Sequence, residues 1–154
     1  MKDDREMALD TKLVIYVVVS TFYKKISGKQ LDNAKEVLLR ELGIEGNQLK
    51  IIECLGSLEL PYLINTVCKK YSPNGVVALG CIIEGETTHF EVLSNAIFDK
   101  LIQISIDHDT PITSAILTVK NEQQAIERSD GGSKDRAIEA AKSLVSLIKL
   151  KRDL

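Results

Sequence analysis

Val76-Val77-Ala78-Leu79-Gly80-Cys81-Ile82-Ile83 is a near-continuous apolar run of strand length, and Glu84-Gly85-Glu86-Thr87-Thr88-His89-Phe90 follows it directly. An apolar run without polar alternation is the pattern of a strand covered on both faces of a parallel sheet. The polar half hinges on Gly85 and opens a long helical pattern. A glycine allows close backbone approach to a ligand, two threonines supply hydroxyls, and the first N–H groups of a helix lack partners within it. Together these describe an anion site at a strand-to-helix turn. His89 is the only imidazole near that turn, placed to move a proton beside whatever binds there.

Working outward, the same alternation repeats. Leu13 to Val19 is apolar and largely β-branched, a second buried strand, and it ends at Ser20-Thr21-Phe22-Tyr23. From Ser27 the period becomes helical, with Leu31, Ala34, Val37, Leu38 and Leu42 on one face and Gly43 as the stop. A strand over 49–55 leads into Gly56-Ser57-Leu58-Glu59-Leu60-Pro61, where Pro61 opens a helix running to about Lys70. Beyond the central strand, the spacing predicts a helix over 89–107, a strand over 112–119, a short helix over 121–128 and, after Asp130-Gly131-Gly132, an amphipathic helix over 134–151.

Strands alternating with helices imply an α/β fold: a three-layer α/β/α sandwich with a four-stranded parallel sheet and right-handed crossovers. We read one domain over 1–154, with 1–11 flexible or ordered on a neighbouring subunit. The turns at 20–23, 56–61, 84–89 and 119–122 all follow strands, so they gather at the carboxyl edge, where such sheets bind ligands. In the helix from His89, Phe90, Val92, Leu93, Ile97, Phe98, Leu101, Ile102, Ile104 and Ile106 spread around nearly the whole circumference. A helix on a sheet needs one apolar face; the surplus points to contact with another subunit.

Composition narrows the function. At 154 residues and 44% hydrophobic content, the chain suits one core, since a domain of this size buries roughly 70% of its unfolded surface. Twenty basic against 22 acidic residues give a net charge of -2, with no basic stripe, which argues against nucleic acid. Cys54, Cys68 and Cys81 stand singly in apolar segments; they read as reduced thiols, and neither a disulfide framework nor a metal site is indicated. No apolar run approaches the ~18 residues of a membrane span, and 1–10 is charged, so no membrane association and a cytoplasmic location are expected. GxxxxGK[ST], GxGxxG and GxSxG are all absent.

Three ordered motifs then become informative: Gly56-Ser57-Leu58-Glu59-Leu60-Pro61; Ala78-Leu79-Gly80 leading to Gly85-Glu86-Thr87-Thr88-His89-Phe90; and Gln124-Ala125-Ile126-Glu127-Arg128. With their spacing, they resemble lumazine synthases of riboflavin biosynthesis over 13–147. The resemblance implies a flavodoxin-like fold and homopentamers, in some members 60-subunit shells, with active sites between subunits and no metal or organic cofactor. It implies condensation of 5-amino-6-(D-ribitylamino)uracil with 3,4-dihydroxy-2-butanone 4-phosphate to 6,7-dimethyl-8-ribityllumazine, phosphate and water.

Carried over, Phe22 stacks on the pyrimidine, and the Ser57-Leu58-Glu59 turn holds the ribityl chain. The backbone of Cys81, Ile82 and Ile83 reads the ring edge. Gly85, Glu86, Thr87 and Thr88 line the phosphate pocket, His89 transfers protons, and Arg128 of the neighbouring subunit clamps the phosphate. From the residues alone, Phe22 is more often a core residue than a stacking platform, Glu59 suits a helix-dipole partner as well as a ligand contact, and Arg128 reads first as a helix-end cation. The sequence also departs from the family. Thr21-Phe22-Tyr23 replaces a common Arg-Phe-Asn, Glu84 a frequent arginine, and Ser114 an aromatic residue that packs over the ring from the adjacent subunit. After Arg128, Ser129-Asp130-Gly131-Gly132-Ser133-Lys134-Asp135-Arg136 replaces a common Ala-Gly-Thr-Lys-Ala-Gly-Asn-Lys. A ligand-binding or purely structural relative is the alternative these departures leave.

Overall fold

The computed structural model describes residues 12–85 and 89–154. Four strands, β1 (Ile15–Ser20), β2 (Leu49–Cys54), β3 (Gly75–Ile83) and β4 (Ile112–Val119), form an all-parallel sheet in the order β2-β1-β3-β4. Five helices accompany them among the described residues: α1 (Lys24–Leu42), α2 (Leu60–Tyr71), α3 (His89–His108), α4 (Glu122–Glu127) and α5 (Arg136–Asp153), with short 3-10 turns at Gly46–Gln48 and Ser57–Glu59.

Successive strand residues point to opposite faces, and the two faces are covered by different helices. Ile15, Val17, Val19, Val77 and Leu79 pack against Ala34, Val37 and Leu38 of α1 and Ala140, Ala141 and Leu144 of α5. Tyr16, Val18, Val76, Ala78 and Ile82 pack against Leu60, Ile64 and Val67 of α2 and Ile97, Leu101 and Ile104 of α3. This is the three-layer, flavodoxin-like architecture expected from the sequence. Because every pairing is parallel, all four strands end at the same edge.

Several boundaries shift for identifiable reasons. β1 begins at Ile15, two residues later than hydropathy indicates, because a turn already holds Val14: its N–H donates to Asn74 Oδ1 (2.8 Å) and its carbonyl accepts from Asn74 N (2.9 Å). α1 starts at Lys24, three residues before the expected Ser27, with no side-chain cap to announce it. α5 starts at Arg136, two residues after the expected Lys134, because Asp135 accepts from Ile138 N (2.9 Å) and caps it.

The core also holds a polar group that periodicity does not show. Gln30 of α1 is fully buried. Its Nε2 donates to Gly80 O (3.0 Å) and Ala115 O (2.8 Å), while Oε1 is buried without a partner. The amide thus bridges β3 and β4 from the helix layer. On α3, Ile97, Leu101 and Ile104 face the core while Val92, Ile102 and Ile106 are exposed, the surplus apolar surface expected from its circumference. None of the described helices is long and apolar enough to cross a membrane.

Candidate active site

The site begins with a length mismatch between two neighbouring strands. β1 pairs with β3 only as far as Val19 opposite Leu79, whereas β3 continues beside β4 to Ile83 opposite Val119. β1 ends at Ser20, beside Gly80, so residues 81–83 run past its end. The strand order reverses between β1 and β3, so the edge beyond their ends is the candidate crevice, the place where open α/β sheets take ligands.

Three strand ends meet at its floor. A Cβ built on Gly80 would stand 2.9 Å from Ser57 Oγ and 3.4 Å from Ser20 Cβ, so only a glycine lets the end of β1 and the turn after β2 close onto β3. Thr21 joins the first two, its N–H (2.8 Å) and Oγ1 (3.1 Å) both donating to Cys54 O. Ser57 is 8% exposed, while Leu58 and Glu59 of the same turn are exposed. Glu59 occupies the N-cap position of α2 without a side-chain cap bond, a place that also suits the helix-dipole reading of its carboxylate.

Phe22 is 70% exposed and meets Tyr23 edge-on, with ring centroids 4.9 Å apart at 80°. The core alternative for this ring is thereby removed, and its open face is free to stack. Burial raises the pKa of the Tyr23 hydroxyl and, with the Glu59 charge, that of the Cys54 thiol; burial pushes the Cys81 thiol up to about 11. These groups stay protonated at neutral pH.

Of the expected anion turn, Glu86, Thr87 and Thr88 lie outside the described residues. Gly85 is exposed, and a Cβ there would meet no atom within 4 Å. Its place on an open turn, rather than crowding, is what the structure records. His89 is the first residue of α3 and is exposed. His108, at the far end of α3, shares a 2.8 Å hydrogen bond with Asn65 Oδ1 in a cavity of about 670 Å³ that also touches Leu13, Asn74 and Lys151. That cavity lies at the amino ends of the strands, away from this crevice.

Ser114 and Arg128 belong to a different place. They line a groove of about 520 Å³ along the free edge of β4, together with Phe98, Thr118, Arg136 and Glu139. Ser114 is exposed and its Oγ accepts from Ile116 N (3.2 Å). Arg128 is half-buried at the end of α4, whose Asn121 cap accepts from Gln124 N (2.9 Å). None of Phe22, Ser57, Glu59 or His89 lines this groove, so the candidate residues fall into two separate groups, one at the ends of β1 and β3 and one beside β4. Arg136 was missed from the sequence. It faces the same groove, and its N–H donates to Arg128 O (3.0 Å); the available signal was a second arginine just past the loop.

Residues 12–152 match the sequence profile of 6,7-dimethyl-8-ribityllumazine synthases. The chain belongs to this family. Among curated members, it is 36% identical over 142 residues to the 6,7-dimethyl-8-ribityllumazine synthase of Methylibium petroleiphilum, covering 92% of this chain and 86% of that one. The Chlorobium limicola synthase is 34% identical over 136 residues, covering 88% and 87% respectively. For the Mycobacteroides abscessus synthase the figures are 35% over 127 residues, 81% and 76%. The lumazine synthase family assignment makes the chain an enzyme of riboflavin biosynthesis and agrees with the sequence resemblance. Among the described residues of this family member, no group of three or more His, Cys, Asp or Glu side chains is arranged to hold a metal ion.

Proposed function

We propose that the chain condenses 5-amino-6-(D-ribitylamino)uracil with 3,4-dihydroxy-2-butanone 4-phosphate to 6,7-dimethyl-8-ribityllumazine, releasing phosphate and water. The observation that carries this reading is the run of β3 past the end of β1, beside an exposed phenyl ring and a hydroxyl-lined turn, in a chain of this family. In it, the backbone of Cys81, Ile82 and Ile83 pairs with the ring edge. Phe22 stacks on the ring, and Ser57, Leu58 and Glu59 hold the ribityl chain.

The phosphate lies at Gly85, Glu86, Thr87 and Thr88, clamped by Arg128, whose guanidinium fork matches phosphate geometry. His89 relays protons between the amine and the departing groups. Because Arg128 and Ser114 stand on the far edge of the sheet, completing this site takes a second copy of the chain. We therefore assign active sites between subunits of a homopentamer, the exposed Val92, Ile102 and Ile106 of α3 supplying subunit contacts; a 60-subunit shell is the larger assembly of this class. The reading places the enzyme in the cytoplasm.

The direct experiment incubates purified protein with both substrates and follows lumazine absorbance, with solution mass measured in parallel. Product formation by an oligomer is expected. A monomer, or no product at micromolar enzyme, would reject the reading; tight riboflavin binding without turnover would instead indicate a ligand-binding relative.

A further inference from the structure

Beneath the turn that carries Arg128 and Arg136 lies a contact between residues far apart in sequence. Asp135 is 4% exposed, and its carboxylate accepts three N–H groups: Ile138 N on Oδ1 (2.9 Å), and Gly131 N and Asn33 Nδ2 on Oδ2 (both 2.8 Å). Asn33 Nδ2 also donates to Ser129 O (3.1 Å). Helix capping explains only Oδ1. The bonds on Oδ2 close the turn instead, one to its tip, where Gly131 has a left-handed φ of 87°, and one to α1, on the opposite side of the loop.

Asn33 is three residues from Gln30 and so near it on the same side of α1. Gln30 holds the Gly80 and Ala115 carbonyls; Asn33 holds the arginine turn. Two amides on one helix thus anchor both the strand that overhangs the crevice and the loop of the β4 groove. The ion pair between Arg136 and Glu139 (2.7 Å) is exposed and contributes little to such anchoring.

We infer that Asn33 and Asp135 are positioning residues for Arg128 and Arg136, holding the turn that carries both arginines in place for a phosphate monoester. This rests on the reading of Arg128 as the phosphate clamp. A fork donates two parallel bonds to phosphate only when its backbone is held, and small displacements in such sites have large effects.

Two variants separate positioning from stability. Asn33→Ala removes the tie to α1 and leaves the cap and the Gly131 bond. Asp135→Ser keeps an N-capping oxygen for Ile138 N and removes the acceptor of the Gly131 and Asn33 bonds. For wild type and both variants, Michaelis constants for each substrate, the inhibition constant of inorganic phosphate and the unfolding temperature are measured. In both variants, the Michaelis constant for the phosphorylated substrate and the inhibition constant of phosphate should rise together by about tenfold, with the constant for the uracil substrate changed less than about twofold. Equal shifts in both Michaelis constants, or none in an active wild-type background, would overturn the positioning role alone. A wild type that forms no lumazine would instead overturn the underlying reading.

Discussion

Ser57 Oγ lies 2.9 Å from the point where a Cβ on Gly80 would stand, so a hydroxyl on the turn after β2 occupies the space a side chain on β3 would need. Gly80→Ala forces one of them to move. Overpacking of this kind costs about 1–3 kcal/mol, and under the proposed role of Ser57 its displacement should weaken the hold on the ribityl chain. Urea unfolding and the Michaelis constant for the uracil substrate should both change. Adding Ser57→Ala should recover most of the stability without restoring the affinity; if the double variant is no more stable than Gly80→Ala, the crowding lies elsewhere.

His89→Ala should slow turnover and not abolish it. One proton-transfer group contributes about 10²–10⁴-fold, whereas aligning two substrates in one crevice is worth up to ~7–11 kcal/mol in favourable cases. Single-turnover rates in wild type and variant measure the difference. Complete loss with intact substrate binding would show that His89 carries more of the reaction than positioning does.

Arg128→Ala should raise the Michaelis constant for the phosphorylated substrate well above that for the uracil, and Arg128→Lys should restore only part of the affinity, since an ammonium is a point charge rather than a fork. Equal effects on both constants would remove the phosphate role. Mixing Arg128→Ala subunits with His89→Ala subunits adds a test of geometry: if sites form between copies, mixed oligomers are more active than either parent, because some sites then hold both native residues.

The Cys81 thiol, pushed up from 9.0 to about 11 by burial, makes stability depend on pH in a defined direction. Between these values the unfolded chain releases the proton while the folded chain keeps it. The unfolded state then binds fewer protons, so stability is full below about pH 9 and falls as pH rises toward 11, by roughly 1.4 kcal/mol per unit of separation. Urea midpoints below and within that interval, compared between wild type and Cys81→Ala, isolate this thiol from the tyrosines and lysines that titrate nearby. An unchanged alkaline slope in the variant would contradict the assignment.

The apolar run 76–83 and its polar continuation were enough to place the central strand, the parallel sheet and the edge where the turns collect, because burial on both faces leaves a local, uninterrupted signature. The three motifs were local too, which is why the family was readable. Long-range contacts decided the rest. That Phe22 is open rather than buried is set by how the turn after β1 meets the other layers, which its own segment does not record. The separation of Arg128 and Ser114 from the crevice follows from strand order, and the ties from Gln30 and Asn33 span 50 to 102 positions. Periodicity records which face a residue takes within its own element; which distant carbonyl or carboxylate it meets there is set only when the layers pack.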